Sequence, residues 1–433
     1  MQSQLSYHRI GFAALLAALA MAVLPVGAET NGTSTLTLND ARQTAFLRNW
    51  DLLAAQKDID QATAQKWVAR EFPNPTLSLS TSKISTDRGS GTTMGNSLWN
   101  RSHDTIVAVN QLFEIGGKRA NRKESAAAGE AAAKARFADA RRQLDLAVTR
   151  AYVSALLAEE NSRILKESSQ SLRKEAGIAE TRFKAGDISA ADKAQIEIAA
   201  ERLELDAESA EATARAARLA VEVLLGEKTP SGHWAPGDSL EGLAGTPIMT
   251  SQESPGALRP DLLAAEAAAR KAAADARLQR SLRYPDPTFF LQYEHEPADK
   301  PNTIGVGVSI PLPLWNHNRG GIAGADAARE QAEFQVNKVR AQISAEISSA
   351  ELAYADASSR YDRYRTKIQP RSEEIRKTVS FAYSKGGASL LDLLAAERSH
   401  NDARLSTAQA EADAVVARTS LQTARYTAPQ SKP

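Results

Sequence analysis

The sequence predicts a mostly α-helical protein with a small β part, built as one unit written twice: a strand hairpin followed by a pair of very long helices. Three observations carry that prediction. A helix-to-strand switch recurs, as Phe72-Pro73-Asn74-Pro75-Thr76 and as Tyr284-Pro285-Asp286-Pro287-Thr288, each followed by a run that alternates like a strand. Residues 118–183 and 319–383 hold almost no interior glycine or proline. At about 1.5 Å per residue each stretch makes a rod of about 100 Å, far beyond a globular helix. Matching segments also recur in order: 51–56 with 261–266, Ala151-Tyr152 with Ala353-Tyr354, and 182–197 with 382–397. In the last pair Gly186, Asp192 and Glu197 align with Gly386, Asp392 and Glu397, which reads as a tandem duplication.

At the N-terminus His8 and Arg9 precede the apolar run 10–27 and the small-residue pattern Val26-Gly27-Ala28, so 1–28 reads as a secretory signal peptide. A single N-terminal membrane anchor is the alternative, because the run is long enough to span a bilayer. No comparable apolar run follows. Any further contact with a membrane must use strands, since only helices and closed barrels satisfy their backbone in lipid. The net charge is +1 over 433 residues, which gives no argument for nucleic acid as a partner. There is no cysteine, which excludes disulfides, thiolate metal sites and lipidation on cysteine.

The first repeat is expected over 36–225, with its hairpin at 75–115, and the second over 258–425, with its hairpin at 287–314. Each opens with a helix that ends at Pro73 or Pro285, because proline lacks the N–H and restricts the residue before it. Pro75, Pro287, Pro311, Pro313, Gly116 and Gly117 mark further strand–helix junctions; the glycine pair lacks the spacing of a phosphate loop. Leu77 and Leu79 alternate with Thr76, Ser78 and Ser80, and Ile304, Val306 and Val308 alternate with Gly305, Gly307 and Ser309. Such segments fit transmembrane barrel strands, with a soluble hairpin packed on helices as the other reading. In the helices, Ile196, Leu203, Ala210, Ala217 and Leu224 recur every seven residues, as do Ile347, Tyr354, Tyr361 and Ile368. A second register runs through Ile198, Leu205, Ala212 and Leu219, so the helix has a seam for a neighbour on each side. Residues 226–257, rich in Gly, Pro and Ser, link the copies, and 426–433 read as a disordered tail. Two hairpins give four strands, and four strands do not close a barrel. Oligomerisation would complete it.

The signal peptide, the duplicated unit and the motif 182–197 with 383–405 together resemble the TolC-type outer-membrane efflux proteins over about residues 36–425. Residues 113–119 and 311–322 look more like the heavy-metal, CzcC-like branch of cobalt–zinc–cadmium efflux. The resemblance implies a homotrimer whose chains share one twelve-stranded barrel in outer-membrane lipid, continuous with a periplasmic α-helical coiled-coil tunnel. It implies a periplasmic adaptor protein and an inner-membrane resistance–nodulation–division pump as partners. Gly186 and Gly386 match the glycine of each helix-turn-helix tip, where Phe183, Lys184, Asp187, Ser389 and Leu390 would be exposed to the adaptor. Asp392 matches an acidic residue at the tunnel entrance, which threefold symmetry would make a ring of three carboxylates favouring cations. The other reading is a helix cap, which is the one favoured for Asp192. Ala388 and Ala395 stand where family members place an arginine and a second acidic residue, which implies a less tightly latched entrance.

The six histidines show no metal-ligand spacing, and no nucleophile elbow or triad is present, so an enzyme, a cofactor and a bound metal are not expected. The function expected is a passive exit duct for heavy-metal cations. The alternatives are a duct for drugs, solvents or secreted protein, and a secreted coiled-coil scaffold without a pore.

Overall fold

The computed structural model describes residues 34–84, 102–245, 259–296 and 300–426. The expected signal peptide, the first hairpin's loop, residues 246–257 of the linker and residues 427–433 of the tail lie outside the described residues. The chain runs β1 (Ser34–Leu36), α1 (Leu38–Arg48), α2 (Trp50–Arg70), β2 (Thr76–Ile84), β3 (Ser102–Leu112), α3 (Lys118–Lys184), α4 (Ala190–Leu224), β4 (Trp234–Pro236) and α5 (Leu240–Ala244). It continues with α6 (Pro260–Ser281), β5 (Thr288–Glu296), β6 (Lys300–Ser309), α7 (Arg319–Arg363), a π-helical turn (Tyr364–Ile368), α8 (Gln369–Ser384) and α9 (Leu390–Ala424).

Local chemistry sets these boundaries. The opening helix of the first copy is two helices, because Asn49 takes an extended conformation and its side chain accepts from the Leu52 amide. α3 is continuous over 67 residues, about 100 Å. α3 ends at Gly186, α8 at Gly386 and α4 at Gly226, each in the left-handed region. Each end is closed by a Schellman bond, from Asp187 N to Arg182 O, Gly387 N to Ala382 O and Glu227 N to Glu222 O. At Gly226 space also demands glycine: a Cβ would lie 2.2 Å from the Arg48 carbonyl oxygen.

The second long helix departs from the expected single rod. Pro370 cannot donate to the turn before it, and the ladder widens to a π turn over Tyr364–Ile368. The extra residue rotates the seam. The predicted heptad holds through Tyr361, which is buried, and fails at Ile368, which is exposed.

In α4 the predicted seam is one half of an a/d pair. Ile196 is buried and Leu203, Ala210, Ala217 and Leu224 are partly buried, while Ala200, Ala207, Ala214 and Val221 interleave as the other, fully buried half. Ile198 and Leu205 on the second register are 68% and 65% exposed.

The main core lies midway along α3. Leu38 and Ala41 of α1, Val148, Tyr152 and Leu156 of α3, Val221 of α4 and Val415 of α9 pack there around Trp234. The inter-repeat segment is therefore part of the core. β4 pairs in parallel with β1, Trp234 stacks on Tyr152 with ring centroids 5.9 Å apart, and the Trp234 indole donates to Arg218 O. The Tyr152 hydroxyl lies 2.8 Å from Leu36 O and 2.9 Å from an Asp238 carboxylate oxygen, which also accepts from Leu38 N. A smaller core near the tips joins Leu172 and Ala179 of α3, Ile196 of α4, Tyr383 of α8 and Leu393 of α9.

Candidate functional site

The candidate site residues lie in two places, the sheet with its junctions and the helical tips. At one end β2, β3, β5 and β6 form an antiparallel sheet in that order, so the two hairpins pair with each other and β2 and β6 are the outer strands. Residues opposite one another in such a sheet share a face. The register matches Leu77 with Val109, Leu79 with Val107, Val107 with Tyr293, Val109 with Leu291, Leu291 with Val306, and Phe289 with Val308. One face is thus a continuous apolar band across all four strands, and most of its side chains are exposed. The other face is mainly polar or small, with Thr76, Ser78, Asn110, Ala108, Gln292, Glu294, Thr303, Gly305 and Gly307, and carries Ile106 and Phe290 among them. Two glycines on this face open space for large neighbours: a Cβ on Gly307 would meet the Phe290 ring at 2.3 Å, and one on Gly305 the Gln292 side chain at 3.0 Å. An apolar outer face backed by a polar or small inner face is the pattern of a lipid-embedded barrel wall.

The strand–helix junctions bind the two copies together. The Lys118 ammonium, buried at the start of α3, lies 2.7 Å from the Asp286 carboxylate and donates to Tyr284 O. Asp286 also accepts from Ile115 N, and Phe113 N donates to Pro287 O. Gly116 has φ +70°, and a Cβ there would press on Tyr284 at 3.0 Å, so glycine is required both by conformation and by space. Gly117 is the left-handed N-cap of α3. On the other side of the junction Gln111 donates to Pro73 O, and the Arg119 guanidinium sits 3.8 Å above the Phe72 ring while donating to Arg70 O. Pro73, Pro75, Pro285 and Pro287 fall in the extended links just before β2 and β5, and Pro311 and Pro313 in the link just after β6.

At the other end lie the two helical tips. Gly186 and Gly386 have φ of +82° and +77°, and open space surrounds both, so conformation alone calls for glycine there. Ser189 and Ser389 are N-caps, each in a full capping box with the aspartate three residues on. Asp192 is thus a cap, and so is Asp392, whose Oδ2 accepts from Ser389 Oγ at 2.7 Å and Ser389 N at 3.1 Å. Those two bonds hold the Asp392 carboxyl below the usual carboxylate range, the hydroxyl first, and leave it charged and exposed. Phe183, Lys184, Asp187 and Ser389 are exposed as expected. Leu390 is not: it is 8% exposed and packs in the tip core, while Leu391 is 69% exposed in its place. With Ser389 as N-cap, the helical phase turns Leu390, Leu393 and Leu394 inward together.

Sequence reasoning missed the contacts that join the tips. Arg182, at the end of α3, donates to Tyr383 O and lies 5.1 Å from the Tyr383 ring centroid. Ser380 of α8 donates to Glu175 of α3. Within the second tip itself Arg376 pairs with Glu397, whose carboxyl burial pushes up. The repeat alignment singled out Glu397, but its counterpart Glu197 pairs on the surface with Lys193, so the alignment does not signal the difference in burial. Among the described residues no three His, Asp or Glu are placed to hold a metal ion, and no helix is long and apolar enough to cross a membrane.

Comparison with known proteins agrees with this geometry. The chain is 26% identical over 372 residues to the cobalt-zinc-cadmium resistance protein CzcC of Cupriavidus metallidurans, covering 86% of this chain and 85% of that one. Its fold is similar to that of the CmeC outer membrane channel of Campylobacter jejuni, with a TM-score of 0.75 at 18% identity, covering 97% and 94% of the two chains. It is also similar to the open state of the Neisseria gonorrhoeae MtrE outer membrane channel, with a TM-score of 0.72 at 20% identity, covering 90% and 88%. The family model described as outer membrane efflux protein matches residues 41–227 and 256–425, one stretch for each copy of the repeat. This chain therefore belongs to the outer membrane efflux protein family, as a non-enzymatic channel component.

Proposed function

We propose that three copies of this chain pool their strand edges into one twelve-stranded barrel, and that the trimer is the passive exit duct of a tripartite exporter for heavy-metal cations. One observation carries the reading: a four-stranded sheet, apolar on one face and mainly polar or small on the other, has β2 and β6 outermost with no further strand beside them among the described residues. Four strands do not close, and lipid tolerates no open edge. The helical half supports it. The second seam of α4, with Ile198 and Leu205 uncovered, is a face for a neighbouring subunit.

The metal substrate rests on the likeness to CzcC. In the trimer the tips, with Phe183, Lys184, Gly186, Asp187, Gly386 and Ser389 joined by Leu391, dock a periplasmic adaptor, and an inner-membrane resistance–nodulation–division pump supplies the energy. Three Asp392 carboxylates form the entrance ring, each held charged by its own cap.

Deletion of the gene tests the substrate. Tolerance to zinc, cobalt and cadmium salts is expected to fall while tolerance to drugs and solvents is kept; the reverse pattern would assign the drug reading. Conductance of the purified channel in planar bilayers tests the pore. Asp392→Asn is expected to lower its cation preference, and an unchanged preference would leave Asp392 as a cap only.

A further inference from the structure

The apolar stripe of β6 does not stop where the strand stops. Ile304, Val306 and Val308 point to the band face within the strand, and in the sequence Ile310 and Leu312 keep the same every-second spacing beyond its last residue, Ser309, up to the turn at Pro313 that leads to Leu314. All six are exposed, and Trp315, which follows, is 91% exposed. Then the chain turns polar at once, through Asn316, His317, Asn318 and Arg319, where α7 begins.

Dimensions argue that the extension matters. A barrel's lipid band is about 25 Å tall and its strands tilt about 40°. The stripe inside the strand, Ile304 to Val308, covers about 13 Å of chain and about 10 Å of depth. Carried on to Leu312, before the chain turns at Pro313, it covers about 26 Å of chain and about 20 Å of depth, most of the band. Backbone chemistry suits a poorly hydrated place. Pro311 and Pro313 have no N–H to leave unsatisfied, and Leu314 N donates to Leu312 O at 2.9 Å around Pro313. Aromatic rings mark both ends of the stripe: Tyr293 stands opposite Ile304, and Trp315 closes the far end. An indole with an apolar body and one N–H suits a lipid interface.

We propose that residues 310–315 are an interfacial strap, which enters the periplasmic phospholipid leaflet with Leu312 and Leu314 among the acyl chains and Trp315 at headgroup level. The occupant of this face is lipid, because the exposed apolar residues of the strap follow directly on the barrel's lipid-facing stripe. The inference rests on the sheet being the membrane-spanning part and adds where the membrane ends on the chain.

The test is quenching of tryptophan fluorescence in proteoliposomes of phosphatidylcholine brominated in the upper acyl chain, against the unbrominated lipid. The wild-type channel is expected to be quenched, and W315F to lose that quenched component. A second variant, V306W in the W315F background, places an indole in the middle of the band and is expected to restore quenching. If V306W is quenched but Trp315 contributes nothing, the strap packs on protein and the proposal falls while the membrane reading stands. If neither is quenched, the sheet is not in lipid and both fall. L312N/L314N, which keeps the backbone and both prolines, is expected to reduce quenching of Trp315 without changing that of an indole at 306; equal quenching of Trp315 would overturn the role of the two leucines.

Discussion

The first long helix and the second come from one duplicated unit, yet they are held in different ways. α3 buries side chains along its whole length, from Lys118 through Tyr152 and Ile164 to Ala179. α7, in 45 residues, buries only Val336, Ala357 and Tyr361. α3 packs on α2, α4, α6 and α9 and is the spine of the chain; α7 leans on α6 and α9 and leaves Phe334 and Leu352 exposed. The less supported copy is also the one whose helix widens to a π turn. Duplication therefore supplies two rods of equal reach, of which one is fixed within its own chain and the other keeps a face for a neighbour.

The equivalent tyrosines, Tyr152 and Tyr354, break or sharpen that contrast with the largest expected effect. Tyr152 is fully buried against Trp234 with its hydroxyl shared between two acceptors, whereas Tyr354 is only partly buried. Tyr152→Ala is expected to cost about 3–5 kcal/mol. Tyr354→Ala is expected to cost about 1 kcal/mol, the ordinary value for an incompletely buried site. Thermal unfolding of the purified channel in detergent reads both. Equal losses would mean that assembly buries the second copy as deeply as the first.

Next comes the pair that ties the copies. Lys118→Met strands the Asp286 carboxylate beside a buried site and is expected to cost about 3 kcal/mol. The double variant Lys118→Met, Asp286→Asn is expected to recover much of that loss, since Asn keeps an oxygen for Ile115 N. If the single variant unfolds at the wild-type temperature, the junction is held by its backbone alone.

How much of this was legible in the sequence follows the range of the interactions. Features set within one turn were legible: the proline switches, the glycines at the tips, the rods and the alternation of the strands. So was the seam of α4 through Ile196, because heptad spacing is a local pattern. Phase was harder. Leu390 and Leu391 differ only in which side of the helix they occupy, and the cap at Ser389 decides that. Pro370 was visible, but its consequence, a π turn that moves Ile368 off the seam, depends on how the ladder re-forms around it. Pairs across the copies were not legible. Lys118 with Asp286 and Arg182 with Tyr383 meet only because the two copies fold side by side.

A smaller effect concerns the cavity beside the π turn, lined by Leu156, Glu160, Glu241, Arg365 and Glu411. Burial, then the nearby Glu241 and Glu160, push the Glu411 carboxyl up to about 7, against the opposing pull of Arg365. The folded chain thus holds a proton there that the unfolded chain has already released above its ordinary pKa of 4.5. Stability contributed through this group is full below about pH 4.5, declines as pH rises to about 7, and is level beyond. The loss is expected to be about 2 kcal/mol after allowing for solvent screening. Unfolding midpoints between pH 5 and pH 8 should fall for the wild-type channel relative to Glu411→Gln, in which the difference disappears. Parallel curves for the two would show Glu411 to be charged throughout.

The smallest expected effect lies at the tips, where the copies differ most subtly. Phe183 and Tyr383 occupy equivalent places; Phe183 is exposed, whereas Tyr383 is buried with a hydroxyl that has no hydrogen-bond partner among the described residues. Burial raises the pKa of that phenol, so it stays neutral at any working pH. Tyr383→Phe keeps the ring beneath the Arg182 guanidinium and leaves the backbone acceptor in place. Within one chain it removes a buried hydroxyl that the Arg182 guanidinium approaches without a full hydrogen bond, and the unfolding midpoint is expected to shift by less than about 0.5 kcal/mol. A loss above about 1 kcal/mol in the assembled channel would place a partner for the hydroxyl on another subunit. The tip of the second copy would then be tied across chains, where that of the first is tied only within its own.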